Sequence, residues 1–300
     1  MYDGYLAKAI GNGQFIVTAE CSPPRGTEAK KLQACAAALG GLVHAVYASE
    51  SEDGVRMSSL AACSHLAAAG AEPILSLLSR DMNRIALQAA ILGASSMEVH
   101  NILCLSGKHQ TLTTSSSARG VFDIDPIQLL QVADGMRKEG QLADRRQIEG
   151  KVNLILGADA NPFAEPMELY LIVLEKAVAA GADYVITQPI FDIERFTTWL
   201  NIVRGRGLDR KICIIASVMP LTSAQEATEL SGKYQRLCIP DVIIDSLKTA
   251  QDQRAAGMQT AVETIARLRA MDGVRGIHLM TGDDFQTAAD ILKSSGLSRS

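Results

Sequence analysis

Short apolar runs alternate with segments of helical periodicity from one end of the chain to the other. The pattern predicts strands over Phe15–Cys21, Leu42–Ala48, Pro73–Leu78, Glu98–Leu105, Lys151–Leu156, Asp183–Gln188, Lys211–Ala216 and Arg275–Met280. Helical spacing follows, for example over Thr27–Ala38, Met57–Ala69, Asp81–Gly93, Pro126–Glu139, Pro166–Ala180 and Ile193–Val203. Strands this apolar belong in a parallel sheet covered on both faces. Eight strand–helix units in 300 residues predict an α/β fold of the (β/α)8 TIM-barrel class. One domain is expected over 1–300, opening with a short helix and closing in a frayed tail from about residue 294.

Two stretches break the regularity. Ser106–Asp125 reads as a long polar loop centred on Thr113-Thr114-Ser115-Ser116-Ser117, and long loops in compact domains are usually functional or mobile. Between the last two strands lie three helical segments, ending in Ala250–Met271. A net charge of -4 with both signs interspersed leaves no basic stripe for nucleic acid. No apolar run reaches the roughly 18 residues that would span a bilayer, and the N-terminus lacks a signal pattern, so a cytoplasmic protein is expected. Cys21, Cys35, Cys63, Cys104, Cys213 and Cys238 form no C-x-x-C pair and read as buried, reduced thiols, with no metal site.

The first strand carries the most informative residue. Thr18, Glu20 and Ser22 share one of its faces, and Pro23-Pro24 ends it. A carboxylate in so apolar a strand is either paired or kept protonated as a proton donor. The other strand ends are also polar: Tyr47, Ser49, Glu50 and Glu52; Ser79 to Arg84; Ser106 to His109; Asn161-Pro162; Thr187-Gln188-Pro189; Thr281 to Asp284. In a barrel these ends line the active-site mouth. Arg80 and Asn83 open a helix whose N-terminus attracts anions, the alternative being an ordinary capped start with Asp81 near the cap. Gly11-Asn12-Gly13 precedes its strand and lacks a third Gly, Gly107-Lys108 lacks a phosphate-loop context, and no H-E-x-x-H or G-x-S-x-G occurs.

Thr18-Ala19-Glu20-Cys21-Ser22-Pro23-Pro24 resembles the first-strand signature of methylenetetrahydrofolate reductases, a Glu followed by two residues and then Pro-Pro. Val55-Arg56-Met57-Ser58, Ser79 to Gln88, Asn101 to Gly107, Gly120 to Asp125 and Gly181 to Asp192 are similar to further family segments, in register from about residue 10 to 285. The resemblance implies a flavin-bearing barrel that reduces 5,10-methylenetetrahydrofolate to the 5-methyl form. It implies Glu20 as the acid that opens the imidazolidine ring and Gln188 as the contact to folate and nicotinamide. It implies cofactor contacts from Tyr47, Arg80, Asp81, Asn83, Gly107, His109, Phe122, Asp123 and Asn161. The cofactor is expected to be FAD, with FMN as the alternative. Expected partners are a tetrahydrofolate one-carbon derivative and NAD(P)H or an electron-donor subunit, within an oligomer or larger assembly.

Two positions depart from the family pattern. Lys108 stands where the family has Asp, reversing a charge at the reacting centre, and would raise the flavin potential unless it faces solvent or pairs with Glu50 or Glu52. Ala224 stands where some members place an aromatic residue against nicotinamide. These departures keep open a folate-binding barrel without flavin chemistry, either a methyl-transfer component or a subunit retained for assembly.

Overall fold

The computed structural model describes residues 3–49, 54–109, 111, 113–234 and 237–299. Eight parallel strands close into a barrel in sequence order. They are β1 (Ile16–Cys21), β2 (Ala45–Ala48), β3 (Pro73–Leu78), β4 (Asn101–Leu105), β5 (Ile155–Ala160), β6 (Tyr184–Pro189), β7 (Cys213–Val218) and β8 (Val274–Leu279). The barrel shuts through β1 and β8, from Ile16 opposite Gly276 to Ala19 opposite Leu279.

Helices α1 (Tyr5–Asn12), α2 (Lys30–Leu39), α3 (Ser59–Ala68), α4 (Arg84–Ser96), α5 (Pro126–Lys138), α6 (Met167–Ala179) and α7 (Ile193–Gly205) fall where the pattern expects them, and α8 (Ala224–Lys233), α9 (Asp241–Thr249) and α10 (Gln253–Arg269) fill the β7–β8 crossover. α11 (Phe285–Ser294) completes the ring. Among the described residues no helix is long and apolar enough to cross a membrane.

Strand alternation divides the core in two. Val17, Ala19, Cys21, Leu75, Leu77, Ile102, Cys104, Val185, Ile214 and Ile277 point outward into the layer shared with the helices. Ile16, Ala45, Ile74, Leu103, Ile155, Tyr184, Ile186, Cys213 and Ile215 fill the lumen. Leu6, Ala7 and Ala9 of α1 join the lumen cluster, so this helix plugs the N-terminal end of the barrel. Glu72 holds the plug in place. Its carboxylate accepts from the backbone N–H groups of Tyr5 and Leu6, where a helix N-terminus favours negative charge, and from Asn101 Nδ2 at 2.8 Å.

Where β5 and β6 begin, Arg137 of α5 ties the helix layer to the strands. Its guanidinium donates to Asp134 at 2.8 Å, to Asp183 at 2.5 Å, and to the carbonyls of Leu154 at 3.0 Å and Gly181 at 2.8 Å. Asp183 in turn accepts from Leu156 N at 2.8 Å.

Two expectations shift. β5 starts four residues later than the apolar pattern indicates, because the pattern stops at Gly157 while the strand continues through Gly157-Ala158-Asp159-Ala160. Gly157 is lumen-facing, and the Tyr184 ring lies across it, so a Cβ at 157 would overlap that ring. Gly157→Ala is expected to destabilise by about 1–3 kcal/mol through overpacking, read as a lower denaturant midpoint at unchanged m-value. The tail is also better held than expected. Leu297 is buried, Arg299 N donates to Leu42 O at 2.8 Å, and the Arg299 guanidinium lies 3.7 Å from the Tyr5 ring centre.

Candidate functional site

The lumen-facing positions at the C-terminal strand ends form the mouth. Its floor is polar but neutral. Thr18 Oγ1 and His278 Nδ1 are 2.9 Å apart, and Tyr47 donates to Ser76 Oγ at 3.2 Å. The Tyr47 and His278 rings meet edge to face at 5.7 Å. Burial pushes the His278 pKa down from 6.5 to about 3, so the imidazole is uncharged at neutral pH. The unfolded chain takes up this proton near pH 6.5 and the folded chain only near 3. Stability is therefore complete above about pH 6.5 and is lost progressively as pH falls toward 3. Denaturant titrations across that range should show the loss, and His278→Gln should flatten it.

Glu20 stands directly above this floor, half-buried, on the same strand face as Thr18 and in register with Tyr47 of β2. The turn behind it is fixed by the backbone. Ser22 N donates to Gly282 O at 3.3 Å, Arg56 Nη1 to Pro23 O at 2.9 Å, and Met57 N to Pro24 O at 2.9 Å. Glu50 and Glu52 lie outside the described residues. Gln188 ends β6 on the lumen face it shares with Tyr184 and Ile186, also half-buried, and its side-chain amide has no partner among the described residues. Glu20, Tyr47 and Gln188 are thus brought to one mouth.

Sequence reasoning missed Asp159 on β5. Its side chain shares the lumen face with Ile155 and Gly157 and is open to solvent through the mouth. The protein packed around it raises its carboxyl pKa, opposed only by its own backbone N–H. Reading Gly157 through Ala160 as strand is the signal that would have found it. His278 was legible in the same way, two positions after Gly276.

Most of the remaining candidates form a rim over β3 and β4, and their polar groups are bonded within the chain. Arg80 is buried and pairs side by side with Asp81, at 2.7 and 2.6 Å, while its Nη1 donates to Lys108 O at 2.8 Å. Gly107, at φ +81°, packs on the Arg80 side chain, and Arg80 N donates to Ser106 O at 3.0 Å. Asn83, and not Asp81, caps α4, accepting from Ile85 N and Ala86 N at 3.1 and 3.0 Å. Asp123 accepts from Arg84 N and Nε, both at 2.9 Å, and from Nη2 at 3.0 Å. This fork and the backbone bond hold its pKa down to about 2. Phe122, at φ +45°, and Val121 are exposed beside it. His109 Nδ1 lies 2.8 Å from Thr111 Oγ1, and Asn161 Oδ1 accepts from Phe163 N at 2.9 Å. Lys108 carries its ammonium 4.0 Å from the centre of the Tyr234 ring, which follows α8 on the far side of the mouth. Ala224 is buried at the start of α8 and presents no stacking surface.

This arrangement bears on a flavin dinucleotide. Its diphosphate would look for Arg80, Arg84 and the N-terminus of α4, and each already holds Asp81, Asp123 or Asn83. At the two arginines a phosphate would replace one anion by another and leave a carboxylate without its partner, and at the helix start it would displace the Asn83 cap. The residues present therefore do not fit the diphosphate at this place. Among the described residues no group of three or more His, Cys, Asp or Glu side chains could hold a metal ion.

Comparison with known proteins gives a consistent assignment. The sequence profile of the family described as methylenetetrahydrofolate reductase matches residues 5–296. Methylenetetrahydrofolate reductase 2 of Schizosaccharomyces pombe is 32% identical over 144 residues, 44% of this chain and 22% of that protein. Methylenetetrahydrofolate reductase (NADH) 1 of Arabidopsis thaliana is 27% identical over 147 residues, 48% and 24% of the two chains. The matched stretch thus spans less than a quarter of either relative. Among solved structures, an uncharacterized protein from Clostridium thermocellum that binds two copies of 5-methyl-5,6,7,8-tetrahydrofolic acid superposes with a TM-score of 0.68 over 97% of this chain and 98% of its own, at 14% identity. A 2,3-dimethylmalate lyase reaches a TM-score of 0.51 over 96% and 84%, at 12% identity. At these identities the likeness shows the barrel fold.

Proposed function

Because this chain belongs to the methylenetetrahydrofolate reductase family, we propose that its barrel mouth binds a tetrahydrofolate bearing a one-carbon unit and converts the 5,10-methylene form to the 5-methyl form. The observation that carries the reading is Glu20, a carboxyl on the lumen face of β1 above an uncharged floor of Thr18, Tyr47 and His278. In the proposed step the Glu20 carboxyl gives its proton to N10 of the imidazolidine ring. The bond from N10 to the bridging carbon breaks, and the N5 lone pair forms the carbon–nitrogen double bond. No electrons leave the substrate in this step, and the iminium carbon becomes the hydride acceptor. Gln188 orients the ring from the opposite wall.

The hydride comes from a reduced nicotinamide, in keeping with relatives named for NADH and NADPH, or from a donor subunit that brings its own redox group. FAD is the cofactor expected in this family, but its diphosphate does not fit the satisfied donors of the β3–β4 rim, and no step here uses it. Those same satisfied donors favour a second reading, a barrel that holds 5-methyltetrahydrofolate and passes the methyl group on without redox chemistry. The structural neighbour that binds the methyl form supports folate binding in either case.

Calorimetric titration of the purified protein with 5-methyltetrahydrofolate, before and after incubation with FAD and desalting, tests the proposal. Saturable binding in both samples, with no retained flavin band in the second, is the expected result. Absence of saturable binding overturns it. Conversion of the methylene form with NADH then separates the reductase from the methyl-passing barrel.

A further inference from the structure

Among the described residues Asp159 is a carboxylate that faces the mouth and has no role in the step above. Apart from its own backbone N–H, its carboxyl has no ion-pair or hydrogen-bond partner among the described residues. That is unusual here, where Asp81, Asp123, Asp134 and Asp183 are each held by an arginine. Its neighbours are apolar. It pairs with Ile186 of β6, and continuing the β4–β5 register sets Leu105 on its other side. One pleat above Ile186 stands Gln188, whose amide is also without a partner. A carboxylate and, one pleat further toward the mouth on the next strand, an amide thus face the same solvent-reached lumen, the carboxylate between two aliphatic side chains. Nothing in the fold needs the charge: an apolar residue at 159 would suit Leu105 and Ile186 better, and the raised carboxyl pKa marks the cost of keeping it there.

A carboxylate so placed is satisfied by a ligand that brings two parallel N–H donors, since two-pronged pairing of this kind is both strong and directional. A flat ring of the 2-amino-4-oxo type presents such an edge, the exocyclic amino group beside a ring N–H, and its faces suit Leu105 and Ile186. Resting on the reading that a reduced folate occupies the mouth, we propose that Asp159 is the residue that recognises the amino–N–H edge of its ring, with Gln188 bonding beside it. Glu20, across the barrel on β1, is left to the proton transfer. Glu20 and Asp159 thereby divide chemistry from recognition.

The test compares 5-methyltetrahydrofolate with an analogue in which a methyl group replaces the 2-amino group, on wild type, Asp159→Asn and Asp159→Ala, by calorimetry, with melting temperatures recorded alongside. Wild type should bind the folate tighter than the analogue by about 10- to 150-fold, the range a hydrogen bond to a charged group carries. Both variants should lose that preference by losing affinity for the folate alone, while melting at or above the wild-type temperature. Equal discrimination in Asp159→Asn and wild type overturns the role of Asp159 and leaves folate binding standing. A parallel loss for both ligands overturns it too and points to a structural effect. Wild type that binds neither ligand overturns the folate reading itself, and this inference with it.

Discussion

Glu20→Gln should lower the rate of methylene-to-methyl conversion on the order of 10²–10⁴-fold, the contribution typical of a positioned general acid. The substitution keeps the shape and polarity of the side chain on β1 and removes only its ability to give up a proton at that atom. Affinity for 5-methyltetrahydrofolate should stay close to wild type, because the product no longer needs the proton. Glu20→Asp keeps the acid but withdraws it by one methylene from a half-buried strand position, and an intermediate rate is expected. Stopped-flow reduction with NADH, alongside calorimetry, separates the two effects. Equal losses in rate and affinity would make Glu20 a binding residue and remove it from the chemistry.

Arg137→Met should cost about 3 kcal/mol of unfolding free energy, at the lower end of the range for breaking a buried ion pair because the site is not wholly closed. Asp134 and Asp183 would lose their shared guanidinium, and the carbonyls of Leu154 and Gly181 would lose its N–H groups. Asp183 would keep only its bond from Leu156 N. The damage falls where β5 and β6 begin, at the end of the barrel away from the mouth, so folate affinity should survive at temperatures where the variant is folded. Arg206, by contrast, pairs with Glu168 and Glu175 at the helix surface, and Arg206→Ala should move the denaturant midpoint little. Denaturant midpoints for the two variants measure the difference.

The barrel was legible because its strands are apolar on both faces and several end on proline or a polar cluster, as at Pro23-Pro24 and Pro189. β5 was not, because Gly157 makes room for Tyr184 and Asp159 faces the mouth, so its last half lacks the aliphatic residues by which a strand is read. The site shows the same division. Glu20 and Gln188 could be placed from strand alternation alone, a local property. Arg80 and Asn83 were expected at a phosphate because they open a helix whose N-terminus attracts anions. Instead Arg80 pairs with Asp81 and Asn83 caps α4, and Asp123 reaches Arg84 across the long loop, a pairing no local pattern reveals. Lys108 was visible as a reversed charge, but its resting place over Tyr234 depends on a segment more than a hundred residues later. The structure supplies a carboxylate one strand on, at Asp159, where spacing gave no reason to look.

The most direct measurement is a crystal structure of this chain with 5-methyltetrahydrofolate. The account predicts the pterin ring in the C-terminal mouth, its N5–N10 side toward Glu20 and its amino edge against Asp159 and Gln188, with Arg80–Asp81 and Arg84–Asp123 still paired. A ring seated outside the mouth, or those pairs opened around a bound flavin diphosphate, would contradict it.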